Sequence, residues 1–209
     1  MKRKDYTQAL TLGFFTGWYD SIVNLMGFGK RYYAKAADYI QPGDRDSILD
    51  VGTGTANLAI AIRQKYPRVK VTGIDPDKEI LEIAKKKIKK EKFDIELINT
   101  PAQKLPFPSE SFDFVVSSLA IHHIPKSFKK ESFSEMKRVL KRNGVILIVD
   151  FGIPKNFFAD IISFILSLLE DVGPNRKGLI PNALNDLGFK DIKEVGNKFG
   201  LISFYKARK

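Results

Sequence analysis

Apolar residues along this chain come in two alternating rhythms. Ile48–Val51, Val69–Ile74, Ile95–Asn99, Phe112–Ser117 and Val145–Asp150 are short runs rich in apolar residues, with the length of buried strands. Between them lie stretches with helical spacing: Leu58–Tyr66, stopped by Pro67, then Lys78–Lys90 and Phe128–Leu140. Residues 101–111 predict a loop punctuated by three prolines, and Asn143-Gly144 predicts a turn before the fifth strand. Strands and helices alternating over short connections argue for an α/β domain, doubly wound, with helices on both faces of a parallel sheet. The end of the chain differs. Phe157–Leu169 reads as a helix, 172–177 as a loop and Leu179–Leu187 as a short helix. Phe189–Val195 and Phe199–Ala207 then read as two strands joined by a tight turn at Gly196-Asn197. Residues 1–44 read as two aromatic-rich helices (Phe14, Phe15, Trp18, Tyr19, then Tyr32, Tyr33 and Tyr39), broken at Gly27-Phe28-Gly29.

The chemistry concentrates where strands end. Ser47 to Asn57 is an apolar run closed by Asp50, a glycine turn and the start of a helix. Gly52 and Gly54 can adopt positive φ and let a ligand approach the backbone. The following helix start points free N–H groups into that space. The turn lacks the glycine that the dinucleotide fingerprint would put at Asn57. A second acidic strand end, Asp75-Pro76-Asp77, follows 25 residues after Asp50. There a carboxylate can accept hydrogen bonds from both hydroxyls of a ribose, or cap the next helix. The expected division is that Asp75 binds the ligand and Asp77 caps the helix.

Composition narrows the picture. At 209 residues, 44% of them hydrophobic, the chain can bury one sizeable core. It has no cysteine, which excludes disulfides, cysteine metal sites and thiol nucleophiles and leaves a cytoplasmic protein as the expectation. The net charge of +11 is crowded into residues 85–90 and 126–142. These are either solvated helix faces or an attraction to a membrane surface, nucleic acid or anionic substrate; no aromatic residues interleave the first run. No secretory signal pattern follows the basic start. As a helix, Phe157–Leu169 spans about 20 Å against about 30 Å of hydrocarbon. With Asp160, Ser163 and Ser167 along one side, it reads as amphipathic.

The D-V-G-T-G-T sequence from Asp50 to Thr55 resembles the first motif of class I S-adenosylmethionine (SAM) dependent methyltransferases. The stretch from Thr100 to Pro108, with its Leu105-Pro106-Phe107, and the strand opening at Phe112-Asp113 resemble that family's adenine loop and fourth strand. Tyr19-Asp20, Leu25-Met26 and Phe28-Gly29, with Arg138-Val139-Leu140-Lys141, Gly144 and Asp150, look like the signatures of ubiquinone/menaquinone biosynthesis C-methyltransferases. Where that group has Arg-Asn, this chain has His122-His123, a pair common among small-molecule methyltransferases.

The resemblance implies a doubly wound, mostly parallel seven-stranded sheet with a C-terminal antiparallel hairpin and N-terminal helices. It implies a helical cap at 1–44, a SAM-binding core at 45–150, a substrate-covering segment at 151–188 and a closing hairpin at 189–209, all in one domain. By position, Asp50, Gly52, Thr53, Gly54 and Thr55 would surround the methionine part of SAM. Asp75, with Pro76 beside it, would hold the ribose. Ala102 and Gln103 would meet adenine, because Pro101 stands where many members carry an aspartate. Ser117 or Ser118 would lie beside the sulfonium, and Tyr19 would close the site. His122 and His123, the only histidines, are candidate catalytic bases, with a structural hydrogen bond or a cap as the other reading. No spacing suggests a metal. The implied activity is methyl transfer to a small, apolar or aromatic, quinol-like acceptor. The alternatives are an RNA-directed methyltransferase and a SAM-binding module without turnover. Residues 157–169 could cover the acceptor, touch a bilayer, pair two copies of a homodimer or pack on the sheet.

Overall fold

The computed structural model of the chain describes residue 27, residues 29–169 and residues 171–209. After Gly29, α1 (Lys30–Asp38) leads to β1 (Ser47–Val51), α2 (Asn57–Lys65), β2 (Lys70–Asp75), α3 (Lys78–Lys90) and β3 (Glu96–Asn99). β4 (Phe112–Ser118) follows, then a short 3-10 helix (Ile121–His123), α4 (Lys126–Val139) and β5 (Leu140–Phe151). The chain continues through α5 (Phe157–Leu169), α6 (Gly173–Arg176), α7 (Leu179–Asp186), β6 (Lys190–Lys198) and β7 (Ile202–Arg208). The expected helix over the first 26 residues, and Tyr19 with it, lies outside the described residues.

The seven strands form one sheet in the order β3-β2-β1-β4-β5-β7-β6. β1 to β5 pair in parallel, β7 runs antiparallel to β5, and β6 antiparallel to β7. This is the expected doubly wound sheet with its closing hairpin. The central strands are buried on both faces, and their side chains alternate between two cores. Ile48, Phe114, Val116, Leu147 and Val149 meet α1, α2 and α3 through Ala36, Ile62 and Ile88. Leu49, Val51, Val115, Ile146 and Ile148 meet α4 and α7 through Phe133, Met136, Ile180 and Leu184. The strand order reverses between β1 and β4, so all the parallel strands present their carboxyl ends on the side where such sheets bind ligands.

Four local expectations are corrected. The hairpin turns at Phe199-Gly200, not at Gly196-Asn197: both turn residues have positive φ (57° and 73°), and the Leu201 N–H donates to the Lys198 carbonyl at 3.0 Å. Gly196 is instead paired in β6, where a Cβ would come 2.6 Å from the Tyr39 hydroxyl. Asn143-Gly144 does not precede β5 but lies within it. The register jumps from Phe112↔Leu140 to Phe114↔Val145, and Asn143 takes φ 61° in that bulge. Residues 173–176 form α6 rather than loop. Finally, of the readings open for α5, packing of its apolar side on the sheet is ruled out: Ala159 and Ser163 are the inward positions, while Phe157, Phe158 and Leu168 are exposed.

Candidate active site

β1 delivers Asp50, 1% exposed, to the carboxyl edge of the sheet. The chain then reverses through Gly52 (φ 70°), whose N–H joins that of Thr53 on the Ile74 carbonyl, both at 2.9 Å. A Cβ at Gly52 would stand 2.3 Å from the Cβ of Ala120, so the turn packs against the loop after β4 and tolerates only glycine. Gly54 (φ 54°) is the opposite case: nothing lies within 4 Å of where its Cβ would be, so backbone faces open space. Ala56, at φ 63°, opens α2 without a side-chain cap. The helix therefore presents its first N–H groups and positive end there.

Two carboxylates flank this turn. The Thr53 hydroxyl donates to Asp50 Oδ2 at 2.7 Å. Asp75 accepts from the Gly54 N–H at 3.0 Å and the Asp77 N–H at 2.9 Å, one bond to each oxygen. Asp77 is the N-cap of α3, accepting from Glu79 and Ile80. Burial pushes the Asp50 carboxyl up to about 7, with Asp75 adding to the effect, and pushes Asp75 up to about 6. Both are thus held near the point where a cation or a pair of hydroxyls would tip them to the ionised form. A carboxylate has about four lone-pair positions, so Asp75 keeps acceptor capacity beyond its two backbone bonds. Open space at Gly54, an uncapped helix start and under-compensated acids fit a ligand with a carboxylate, an ammonium group and a diol.

The second half of the site lies at β4 and β5. The Ser117 hydroxyl donates to the Val51 carbonyl at 2.8 Å, tying β4 to β1. Ser118 Oγ lies 3.3 Å from the Tyr32 hydroxyl of α1. In the 3-10 helix, His122 Nδ1 lies 2.7 Å from Asp150 Oδ1. Both residues are buried. Asp150 Oδ2 accepts the Ile121 and His122 N–H groups at 2.8 and 3.4 Å. Its Oδ1 also takes the Phe151 N–H at 2.7 Å and the Asn175 amide at 3.3 Å. Burial alone would raise this carboxyl; the neighbouring His122 and the Phe151 N–H overcome it and hold Asp150 below the usual range. His123 packs against His122 with ring centroids 4.0 Å apart and the rings tilted by 43°. Burial, and then His122, push it down to about 3, so it stays neutral. No group of His, Asp or Glu that could hold a metal ion occurs among the described residues.

Asp50, Gly52 to Thr55, Asp75, Pro76, Ser117, Ser118, His122 and His123 therefore all sit on or just beyond the carboxyl ends of β1, β2 and β4. Ala102, buried, and Gln103 lie on the turn after β3, which the Asp75 carbonyl anchors by accepting from Asn99 and Thr100. Arg138 of α4 fixes the next stretch, donating to the Leu105 and Phe107 carbonyls while Glu135 accepts the Leu105 N–H. Sequence reasoning missed Tyr32, Asn175 and the Arg138–Glu135 clamp, and it quoted Asp150 without its partner His122.

A family profile described as a methyltransferase domain matches residues 48–144. A SAM-dependent methyltransferase structure from Aquifex aeolicus shares the fold, with a TM-score of 0.67 at 20% identity over 92% of this chain and 96% of its own. The chain belongs to the class I SAM-dependent methyltransferases, and SAM is the cofactor of that class. Its similarity runs further, to one branch of the class. A demethylmenaquinone methyltransferase of Thermotoga maritima is 32% identical over 152 residues, which is 71% of this chain and 64% of that protein. The ubiquinone/menaquinone biosynthesis C-methyltransferase UbiE of Citrifermentans bemidjiense is 28% identical over 217 residues, 91% of each chain.

Proposed function

We propose that the chain transfers a methyl group from SAM to a small, apolar or aromatic acceptor of the quinol type. The observation that carries this reading is the buried His122–Asp150 pair, set beyond β4 beside the glycine turn. The names of the two relatives support the acceptor class.

In this reading the turn from Gly52 to Thr55, with Asp50, receives the methionine part, and Asp75 the ribose, with Pro76 shaping the turn. Ala102 and Gln103 border adenine, and Ser117 and Ser118 back the sulfonium. When bound, the cofactor supplies a methyl group on a positively charged sulfur. A quinol ring becomes a strong nucleophile once its hydroxyl loses a proton, and His122 takes that proton. Asp150 holds the imidazole by Nδ1 and so fixes its orientation. His123 is too weak a base for this step and serves as a neutral wall.

Titration calorimetry with SAM and S-adenosylhomocysteine, then mass spectrometry of quinols and phenols incubated with enzyme and SAM, tests the proposal. Both cofactor forms should bind, and a methylated quinol should appear. His122→Ala should keep its cofactor affinity while turnover falls roughly 10²–10⁴-fold. Cofactor binding without any methylated product across the panel would sink the acceptor assignment.

A further inference from the structure

The outward side of α5 is built the wrong way round for a helix in water. Phe157, Phe158, Ile161, Ile162, Phe164, Ile165 and Leu168 are all exposed, Phe158 at 75% and Leu168 at 70%. At 3.6 residues per turn these seven side chains fill one arc of roughly 160°. Ser163 is buried, and Arg176 of α6 ties the polar side to the body, donating to Ser163 Oγ at 3.1 Å and to the exposed Asp160 at 2.6 Å. Two further exposed apolar groups belong to the segments that flank the helix. Ile153 lies before the helix at 45% exposure, and Phe199 tips the β6–β7 hairpin at 63%. The hairpin tip abuts the start of α5, where the Lys155 N–H donates to the Gly200 carbonyl at 3.0 Å. Scattered exposed apolar residues are ordinary; a continuous patch of this size marks an interaction surface.

Its rim says which kind. Lys198 Nζ stands 4.5 Å from the Phe199 ring centroid. Gly27 lies against both of these side chains, so the exposed Lys30 and Arg31 at the start of α1 follow close by. The exposed Lys177 follows Arg176 on the other side. Asp160, Glu194 and Asp171, acids beside the patch, are ion-paired with Arg176, Lys155 and Lys129. The rim is therefore basic, on a chain of net charge +11. Two copies meeting through this face would press basic rims together, which costs affinity. An anionic bilayer accepts both features at once. Apolar side chains enter the headgroup boundary while lysine and arginine meet lipid phosphates. Among the described residues no helix is long and apolar enough to cross a membrane, so α5 would lie flat.

We infer that α5 and the β6–β7 hairpin tip form a docking face for an anionic lipid surface. This stands independently of the acceptor proposed above. Flotation of the full chain with vesicles tests it, comparing phosphatidylcholine alone with an equal mixture of phosphatidylcholine and phosphatidylglycerol. The chain should float with the mixed vesicles and at least about tenfold less with the neutral ones, and added salt should weaken binding. Phe158→Glu combined with Leu168→Glu removes two exposed side chains and should lower partitioning at least about tenfold with an unchanged melting temperature. Ile165→Trp supplies a second readout. Its fluorescence should shift to the blue on mixed vesicles and be quenched by brominated acyl chains. An intact chain that stays off mixed vesicles overturns the inference, as does a doubly substituted chain that binds as well as its parent. A dimer that the double substitution dissociates, with no vesicle binding, would reassign the face to a second copy.

Discussion

Asp50 and Asp150 are both fully buried aspartates at the same edge of the same sheet, and burial has opposite outcomes for them. Asp50 has the Thr53 hydroxyl and the Ala59 N–H as donors and a second acid, Asp75, nearby; its carboxyl is pushed up to about 7. Asp150 is ringed by three backbone N–H groups, the Asn175 amide and His122, and its carboxyl is held low. Desolvation acts on both; what differs is how many donors the chain supplies. The β5 side of the site is electrostatically complete in the chain itself. The β1–β2 side is left short of positive charge and donors, and a ligand that carries them would complete it.

The sharpest way to break this contrast is Asp150→Ala. It strands His122 and the surrounding N–H groups, and unfolding measurements should show a loss of about 3–5 kcal/mol. Asp75→Ala should leave the fold intact and weaken SAM binding about 100-fold by calorimetry, because two hydrogen bonds to a charged acceptor are lost. Asp50→Asn should go the other way and stabilise the ligand-free chain by about 2 kcal/mol near neutral pH. The folded carboxyl keeps its proton up to about 7, the unfolded one only to about 3.9. The stability it confers is therefore full below the unfolded value and lost as pH rises through the folded one. Melting curves across that window should slope downward with pH in the parent and flatten in the variant. The smallest effect belongs to Asn175→Ala. It removes one donor from Asp150 and also a buried Oδ1 that has no partner, so about 1 kcal/mol is expected.

The same division governs what could be read from sequence. The binding half is local. An apolar run ending in Asp50, a glycine turn, and Asp75 followed by a capping Asp77 are each legible within a few residues. The other half is assembled across the chain. His122 and Asp150 are 28 residues apart, Tyr32 and Ser118 are 86 apart, and Asn175 reaches Asp150 from a four-residue helix that looked like loop. Spacing also told which positions of α5 share a side, but not which side faces inward. Small residues decided that, because Ala159 and Ser163 let the hairpin and α6 come close. The hairpin turn was misread for a related reason: Gly196-Asn197 has turn chemistry, whereas the turn itself places Phe199, a bulky residue, at positive φ.

Asn175 and Arg176 are neighbours on α6 that reach in opposite directions, one to Asp150 and the other to Asp160 and Ser163 of α5. A single peptide link on this four-residue helix thus joins the seat of the outer helix to the carboxylate that holds His122, making α6 a clasp between the surface and the sheet edge.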